Sequence, residues 1–387
     1  MSLPSNPPSG DLDTWPSIPF QRVVVKFGTN LLTGGTDRLN LETMAALVGQ
    51  LARLHQEGRE VIVVSSGAVA AGRHRLGAVH GLQHTPLRQV CAAVGQSLLM
   101  EAYDQLFRWH DITVAQTLVT KTDLADRLSY LNARTTLMSL MDLRVISIVN
   151  ENDVVAVDEL ENTTFGDNDA LSALIANLVD ADVLVLLSDI NGLYSSDPAA
   201  DPSARHIPLV PRVDAAIEQL AGKTVGARSR GGMVTKLQAA RTATAGGAGV
   251  IIANGREPGV LVKLANGDAC GTLFLPSASK VESRKRWMLS GLSRRGSLAV
   301  DSGAANALTH QNRSLLPAGV VEVKGAFSRG DIVVVEAEEG REIAYGIVNY
   351  GAEELGKLAG LRSSEIEPVL GHHYGDEVIH RNNLVVL

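Results

Sequence analysis

Val145–Leu178 reads VISIVNENDVVAVDELENTTFGDNDALSALIANL, and the fold turns on how this stretch is parsed. Val145–Val149 is an apolar run that breaks into Asn150-Glu151-Asn152-Asp153. Gly166-Asp167-Asn168-Asp169 then opens a segment whose Leu171, Leu174, Ile175 and Leu178 fall at helical spacing. The parse is a buried strand, a polar loop and a helix. Asp and Asn gather where the strand ends and where the helix begins, and such acceptors suit ammonium groups or metal ions. From 145 to 204 there is no Lys, Arg or His. Positive charge at this site must therefore come from elsewhere in the chain.

The same parse repeats on either side. Arg22–Lys26 (RVVVK) is a β-branched run entering a glycine-bearing loop, Phe27-Gly28-Thr29-Asn30. Asn40 is placed to cap a helix carrying Met44, Leu47, Val48, Leu51 and Leu54, stopped by Gly58. Glu60–Val64 is a strand ending in Ser65-Ser66-Gly67. A long helix is predicted from Pro86 to Trp109, a strand over Ile112–Val119 and a further helix over Asp123–Leu143. Val183–Leu187 is a strand ending in Ser188-Asp189. Val213–Leu220 is helical, Gly231-Gly232-Met233 precedes another helix, and Gly249–Ile252 is one more strand.

The strands are continuous apolar runs, which predicts a three-layer α/β/α sandwich with a mainly parallel central sheet. Ligands in such sheets sit beyond the strands' carboxyl ends. Lys26, Ser66, Asn150–Asp153 and Ser188-Asp189 are all predicted there. After Pro276 the register changes: a basic connector (Lys280, Arg284, Lys285, Arg286, Arg294, Arg295) leads to short strands at Ser297–Val300, Gly319–Val323, Asp331–Val335 and Ile343–Val348. The expected organisation is a disordered extension at 1–19, a catalytic domain at 20–276, a connector at 277–291, and a small mainly-β domain with its tail at 292–387.

A chain of 387 residues is long for one domain. Its net charge of −7 gives no general reason to bind nucleic acid or membranes. Two distant cysteines exclude a disulfide framework. No apolar run reaches the roughly 18–20 residues of a membrane span, and the Pro/Ser-rich N-terminus lacks signal-peptide character. A cytoplasmic location is expected.

Several motifs fail on inspection. Val64 stands where a Ser66 nucleophile elbow needs glycine. Asp167-Asn168-Asp169 is too compact for a calcium loop. Gly351–Lys357 is followed by Leu358 and is no Walker loop. What remains is a hydroxyl and amides at Ser66-Gly67, suited to a carboxylate or phosphate, and a glycine pair before Lys236, suited to phosphates.

VVVKFGTN, VVSSGAVAAG, AAVGQ, YLNARTT, VNENDVVAV, GDNDALSAL, LLSDINGLYSSDP and GGMVTKLQAA follow one another from Val23 on. In that order they resemble the amino-acid kinase superfamily, most of all the glutamate 5-kinase family. GSLAVDSGA to YGIV is similar to the PUA domain that many of its bacterial members carry. The resemblance implies the amino-acid kinase fold and transfer of the ATP γ-phosphoryl group to the γ-carboxylate of L-glutamate, the first step of proline biosynthesis. Lys26 and Lys236 would flank the transferring group, with Asp169 holding both ammonium groups. Ser66, Gly67, Asn150, Asp153, Asp167 and Asn168 would hold glutamate. Lys26, Ser188, Asp189, Arg230, Gly231, Gly232, Met233, Val234, Thr235 and Lys236 would hold ATP, whose Mg²⁺ comes with its phosphates rather than from a protein metal site. The family usually has Gly-Ser/Thr-Gly-Gly before the methionine; here it is Ser229-Arg230-Gly231-Gly232, so Arg230 either adds a phosphate contact or crowds the nucleotide. Feedback by proline and a homo-oligomer are implied as well. RNA binding by the PUA-like part is disfavoured: residues 291–387 hold 9 Lys and Arg against 13 Asp and Glu.

Overall fold

The computed structural model describes residues 15–77, 85–156, 168–222, 227–280, 282, 296–337 and 340–387. Residues 1–14, Asp167 and the connector from 283 to 295 lie outside that description. The chain divides into two compact units. One holds the described residues up to Leu124 with Arg134–Ser279, the other Ala125–Ala133 with Lys280–Leu387.

As far as Phe274 the elements run β1 Arg22–Phe27, α1 Thr29–Thr33, α2 Leu41–Gln56, β2 Glu60–Val64, α3 Ala68–Leu76, α4 Thr85–Arg108, β3 Val114–Val119, α5 Lys121–Ala125, α6 Arg127–Asp142, β4 Ile146–Glu151, α7 Asn168–Leu178 and β5 Val183–Ser188. A small hairpin, β6 Leu193–Tyr194 and β7 His206–Ile207, precedes β8 Leu209–Val210, α8 Ala215–Gly222, α9 Ala227–Ala245, β9 Gly249–Asn254, α10 Val260–Ala265 and β10 Thr272–Phe274. The main sheet has the order β3-β4-β2-β1-β5-β9-β10-β8. Its pairings are parallel except β9 with β10. Val23–Val25 and Val183–Leu186 have no exposed surface. Helices therefore cover both faces, as continuous apolar strands require. The chain leaves β1 toward β2 and later returns to β5 on its other side. The strand order thus reverses at the β1/β5 boundary, where a crevice opens for ligands.

Local chemistry sets the element ends. The Asn40 side chain accepts the Thr43 amide at 3.0 Å and starts α2, whose Met44, Leu47, Val48, Leu51 and Leu54 are buried. Gly67, with φ of 101°, lets β2 turn into α3, a conformation that side chains with a Cβ rarely adopt. Two expectations change. The single helix over Asp123–Leu143 is broken into α5 and α6 at Asp126, whose carboxylate accepts the Ser129 amide at 2.9 Å and so caps a new helix. The composition-based disorder of 1–19 does not extend to its end, because Trp15 and Ile18 pack against the first unit's core. Both are apolar groups with surface to bury.

In the second unit, β11 Gly296–Val300, β12 Val320–Gly325, β13 Ile332–Glu336, β14 Glu342–Ile347 and β15 Leu384–Val386 form a sheet of order β12-β11-β13-β14-β15. Leu298, Val335, Tyr350, Leu358 and Ile366 are fully buried in its core. The terminal strand β15 pairs with Ala344–Gly346 and was too short to signal itself in sequence. Ala125–Ala133, expected in the first domain, groups here: Leu131 is buried with Ile332, Ile347 and Val385. Among the described residues no helix is long and apolar enough to cross a membrane.

Candidate active site

Four parallel strands, β4, β2, β1 and β5, end on one edge of the first unit's sheet. Lys26, next to the end of β1, pairs with Val64 and Leu186 and so lies near the strand ends that carry Ser65-Ser66, Asn150 and Ser188. Three of the charged groups meet. Asp169, in the first turn of α7, bridges two ammonium groups: its Oδ1 accepts from Lys26 Nζ, and its Oδ2 lies 3.1 Å from Lys236 Nζ. The Thr235 hydroxyl is 2.9 Å from the same Oδ2 and 3.1 Å from the Gly232 carbonyl. All three charged side chains are buried, at 6, 2 and 8% exposure for Lys26, Asp169 and Lys236.

Asn168, one residue earlier, works on the other side. Its Nδ2 faces the Ser65 carbonyl at 2.9 Å, the Ser66 hydroxyl at 3.0 Å and Asn150 Oδ1 at 3.1 Å. Asn150 in turn donates to Gln96 Oε1 at 2.8 Å. Consecutive residues at the start of α7 thus address two chemistries: Asp169 the cationic pair, Asn168 a network of neutral amides.

Residues 21–254 match the amino acid kinase family, and residues 296–370 match the PUA domain. A glutamate 5-kinase from Dehalococcoides mccartyi strain CBDB1 is 54% identical over 368 residues, which cover 95% of this chain and 99% of the relative. The chain belongs to the glutamate 5-kinase family. A second member, from Herpetosiphon aurantiacus, is 51% identical over 364 residues, 94% of this chain and 98% of its own. A third, from Geobacter sulfurreducens, is 47% identical over 367 residues, 95% of this chain and 98% of its own.

The electrostatics follow from burial and partners. Burial alone would push the Asp169 carboxyl up, but the Lys26 and Lys236 ammonium groups outweigh it and hold it at about 2. Asp169 is therefore an anion at neutral pH, with both oxygens engaged by ammonium groups. The N-terminal end of α7 favours the same charge. The three side chains together sum to +1, which suits a phosphoryl group.

Other expected site residues are placed less directly. Gly67 sits at the turn into α3. Asp153, beyond β4, lies 3.7 Å from Arg88, so it meets a protein cation supplied by α4. Ser188 is buried at the end of β5 and its hydroxyl donates to Asp189 at 3.2 Å, while Asp189 is exposed. Asp167 lies outside the described residues, as does the Arg230 side chain. The glycine pair does not precede the helix. α9 starts at Ala227, so Gly231 and Gly232 lie inside it with Met233, Val234, Thr235 and Lys236. Amides within a helix bond to carbonyls four residues back, so among the described residues Gly231 and Gly232 lie in helix rather than in a phosphate-cradling loop. The flanking residues form helix well enough to carry two glycines costing about 1 kcal/mol each.

Two residues of the site were missed in sequence. Gln96 reaches Asn150 because α3 and α4 touch backbone to backbone. A Cβ on Gly95 would lie 1.7 Å from the Ala68 carbonyl oxygen, and one on Gly72 1.8 Å from that of Cys91. Tyr103, fully buried, holds the Ser65 hydroxyl at 2.8 Å. Gln96 had a signal, the AAVGQ run; Tyr103 is one aromatic among many apolar helix positions and had none.

Proposed function

We propose that the chain transfers the γ-phosphoryl group of ATP to the γ-carboxylate of L-glutamate, giving L-glutamyl 5-phosphate and ADP, the first step of proline biosynthesis. The observation that carries this reading is the buried Lys26–Asp169–Lys236 bridge at the β1/β5 crevice, beside the amide network of Asn168 and Asn150. A carboxylate of pKa near ~4.3 is already ionised at neutral pH, so the acceptor needs no general base. Catalysis then rests on positioning and on offsetting charge. Asp169 fixes both ammonium groups in place, and Lys26 and Lys236 stabilise the equatorial oxygens of the transferring group. Ser66, Gly67, Asn150, Asp153, Asp167 and Asn168 hold glutamate. Ser188, Asp189 and the segment from Arg230 to Lys236 hold the nucleotide.

Both Asp169 oxygens are occupied by ammonium groups, a donor set that fits Mg²⁺ held by ATP oxygens rather than by this carboxylate. Bound there, the ion would neutralise phosphate charge. By the same family reading the enzyme is a cytoplasmic homo-oligomer inhibited by proline, and sedimentation and proline titration of the activity test the last two. The central test supplies ATP, Mg²⁺ and one acceptor with hydroxylamine to trap acyl phosphate. Hydroxamate should form with L-glutamate. Formation with aspartate or N-acetylglutamate instead overturns the reading.

A further inference from the structure

Asn168, Asn150 and Gln96 form a chain of three buried amides with a fixed direction. The Ser65 carbonyl can only accept, so the Asn168 atom 2.9 Å from it is the nitrogen. The Glu151 amide can only donate, so the Asn150 atom 2.9 Å from it is the oxygen. Asn150 therefore turns its NH₂ toward Gln96, whose oxygen receives it at 2.8 Å. Flipping Gln96 would set two donors face to face. Two backbone groups thus orient all three side chains without appeal to a ligand.

The two ends of the chain are left over. Asn168 Oδ1 is a buried acceptor and Gln96 Nε2 a buried donor, and neither has a hydrogen-bond partner among the described residues. Leaving buried polar atoms unsatisfied is costly, and native proteins keep such atoms mainly for a purpose. One end wants a donor and the other an acceptor. An α-amino acid carries both, as ammonium and carboxylate on one carbon. Arg88, on the same helix as Gln96, is turned instead to Asp153.

We propose that Gln96 is a specificity-determining residue of the acceptor pocket, its Nε2 group receiving the substrate's α-carboxylate while Asn168 Oδ1 receives the α-ammonium. The proposal rests on the reading of glutamate as acceptor and adds how the free α-end is told from its derivatives. It also assigns a purpose to the close α3–α4 contact, which delivers Gln96 to Asn150.

The test uses two variants and two acceptors in the hydroxamate assay. Gln96→Met keeps the approximate shape but removes both the donor and the oxygen that Asn150 bonds. Gln96→Glu keeps an oxygen for Asn150 but replaces the donor by an acceptor. The acceptors are L-glutamate and its α-carboxamide, whose neutral NH₂ can donate to a carboxylate. Gln96→Met should lower kcat/KM for glutamate roughly ten- to hundredfold through KM, with KM for ATP unchanged. Gln96→Glu should raise the carboxamide-to-glutamate ratio of kcat/KM by about a hundredfold or more over wild type, a gain that structural damage does not produce. A ratio unchanged in both variants, with both acceptors falling together, overturns the proposal. Wild-type protein giving no hydroxamate with glutamate would instead overturn the acceptor assignment, and this inference with it.

Discussion

Asp169 is the residue on which the site's charge balance depends. Losing one of the two ammonium groups that it holds should cost transition-state stabilisation directly. Lys26→Ala and Lys236→Ala are each expected to lower kcat by roughly 10²–10⁴; near-normal turnover in either variant removes that lysine from the mechanism. The same bridge makes a stability prediction. The Asp169 carboxyl is held at about 2 against an ordinary 3.8, and at about 1.4 kcal/mol per unit this amounts to roughly 2 kcal/mol. A folded value below the unfolded one means the stabilisation is complete above pH ~4 and is lost as pH falls through ~2. Urea titrations at stepped pH should show a shallower acid limb in Asp169→Asn than in wild type. Identical limbs would mean that the bridge contributes nothing to folding.

The helix pair α3–α4 is the element whose packing admits least change. Alanine at Gly95 would bring its Cβ to 1.7 Å from a backbone oxygen, which only a shift of the whole helix relieves. Overpacking of this kind costs typically 1–3 kcal/mol. Gly95→Ala should lower the unfolding midpoint and raise KM for glutamate together, since the shift carries Gln96 away from Asn150. Equilibrium unfolding and steady-state kinetics on one preparation check both. A midpoint drop without a KM change would uncouple the helix contact from the pocket. α9 is the opposite case, with Gly231 and Gly232 built into a helix and Thr235 and Lys236 two turns into it facing Asp169. There helix register, rather than loop conformation, sets the distance to the carboxylate.

At the scale of the whole chain, two units with separate cores predict separate responses to ligand. ATP with Mg²⁺ at about a hundredfold over Kd stabilises what it binds by about 2.7 kcal/mol. Hydrogen exchange should slow in β1, β5, α7 and α9, and stay unchanged in the core strands β11 and β13. Protection appearing equally in both units would mean that they unfold together.

Much of this was legible in sequence because its causes are local. Apolar β-branched runs bounded by Gly, Ser and Asn made the strands of a parallel sheet, and a parallel sheet places every strand's carboxyl end on one edge. Lys26, Ser66, Asn150 and Ser188 could be assigned to that edge from spacing alone, and the absence of basic residues from 145 to 204 required that lysines from elsewhere meet Asp169. Tertiary structure decided the rest. That Gln96 completes the amide chain depends on two helices approaching without side chains between them, and glycine spacing does not announce its partner. The start of α9 at Ala227 overrode the glycine pair, because a helix gains from its neighbours more than two glycines cost it. Which atom of each amide faces which neighbour follows from two backbone groups, Ser65 O and Glu151 N, brought together by β2, β4 and α7. Hydrogen-bond direction is a property of packed neighbours, so no reading of the chain alone contains it.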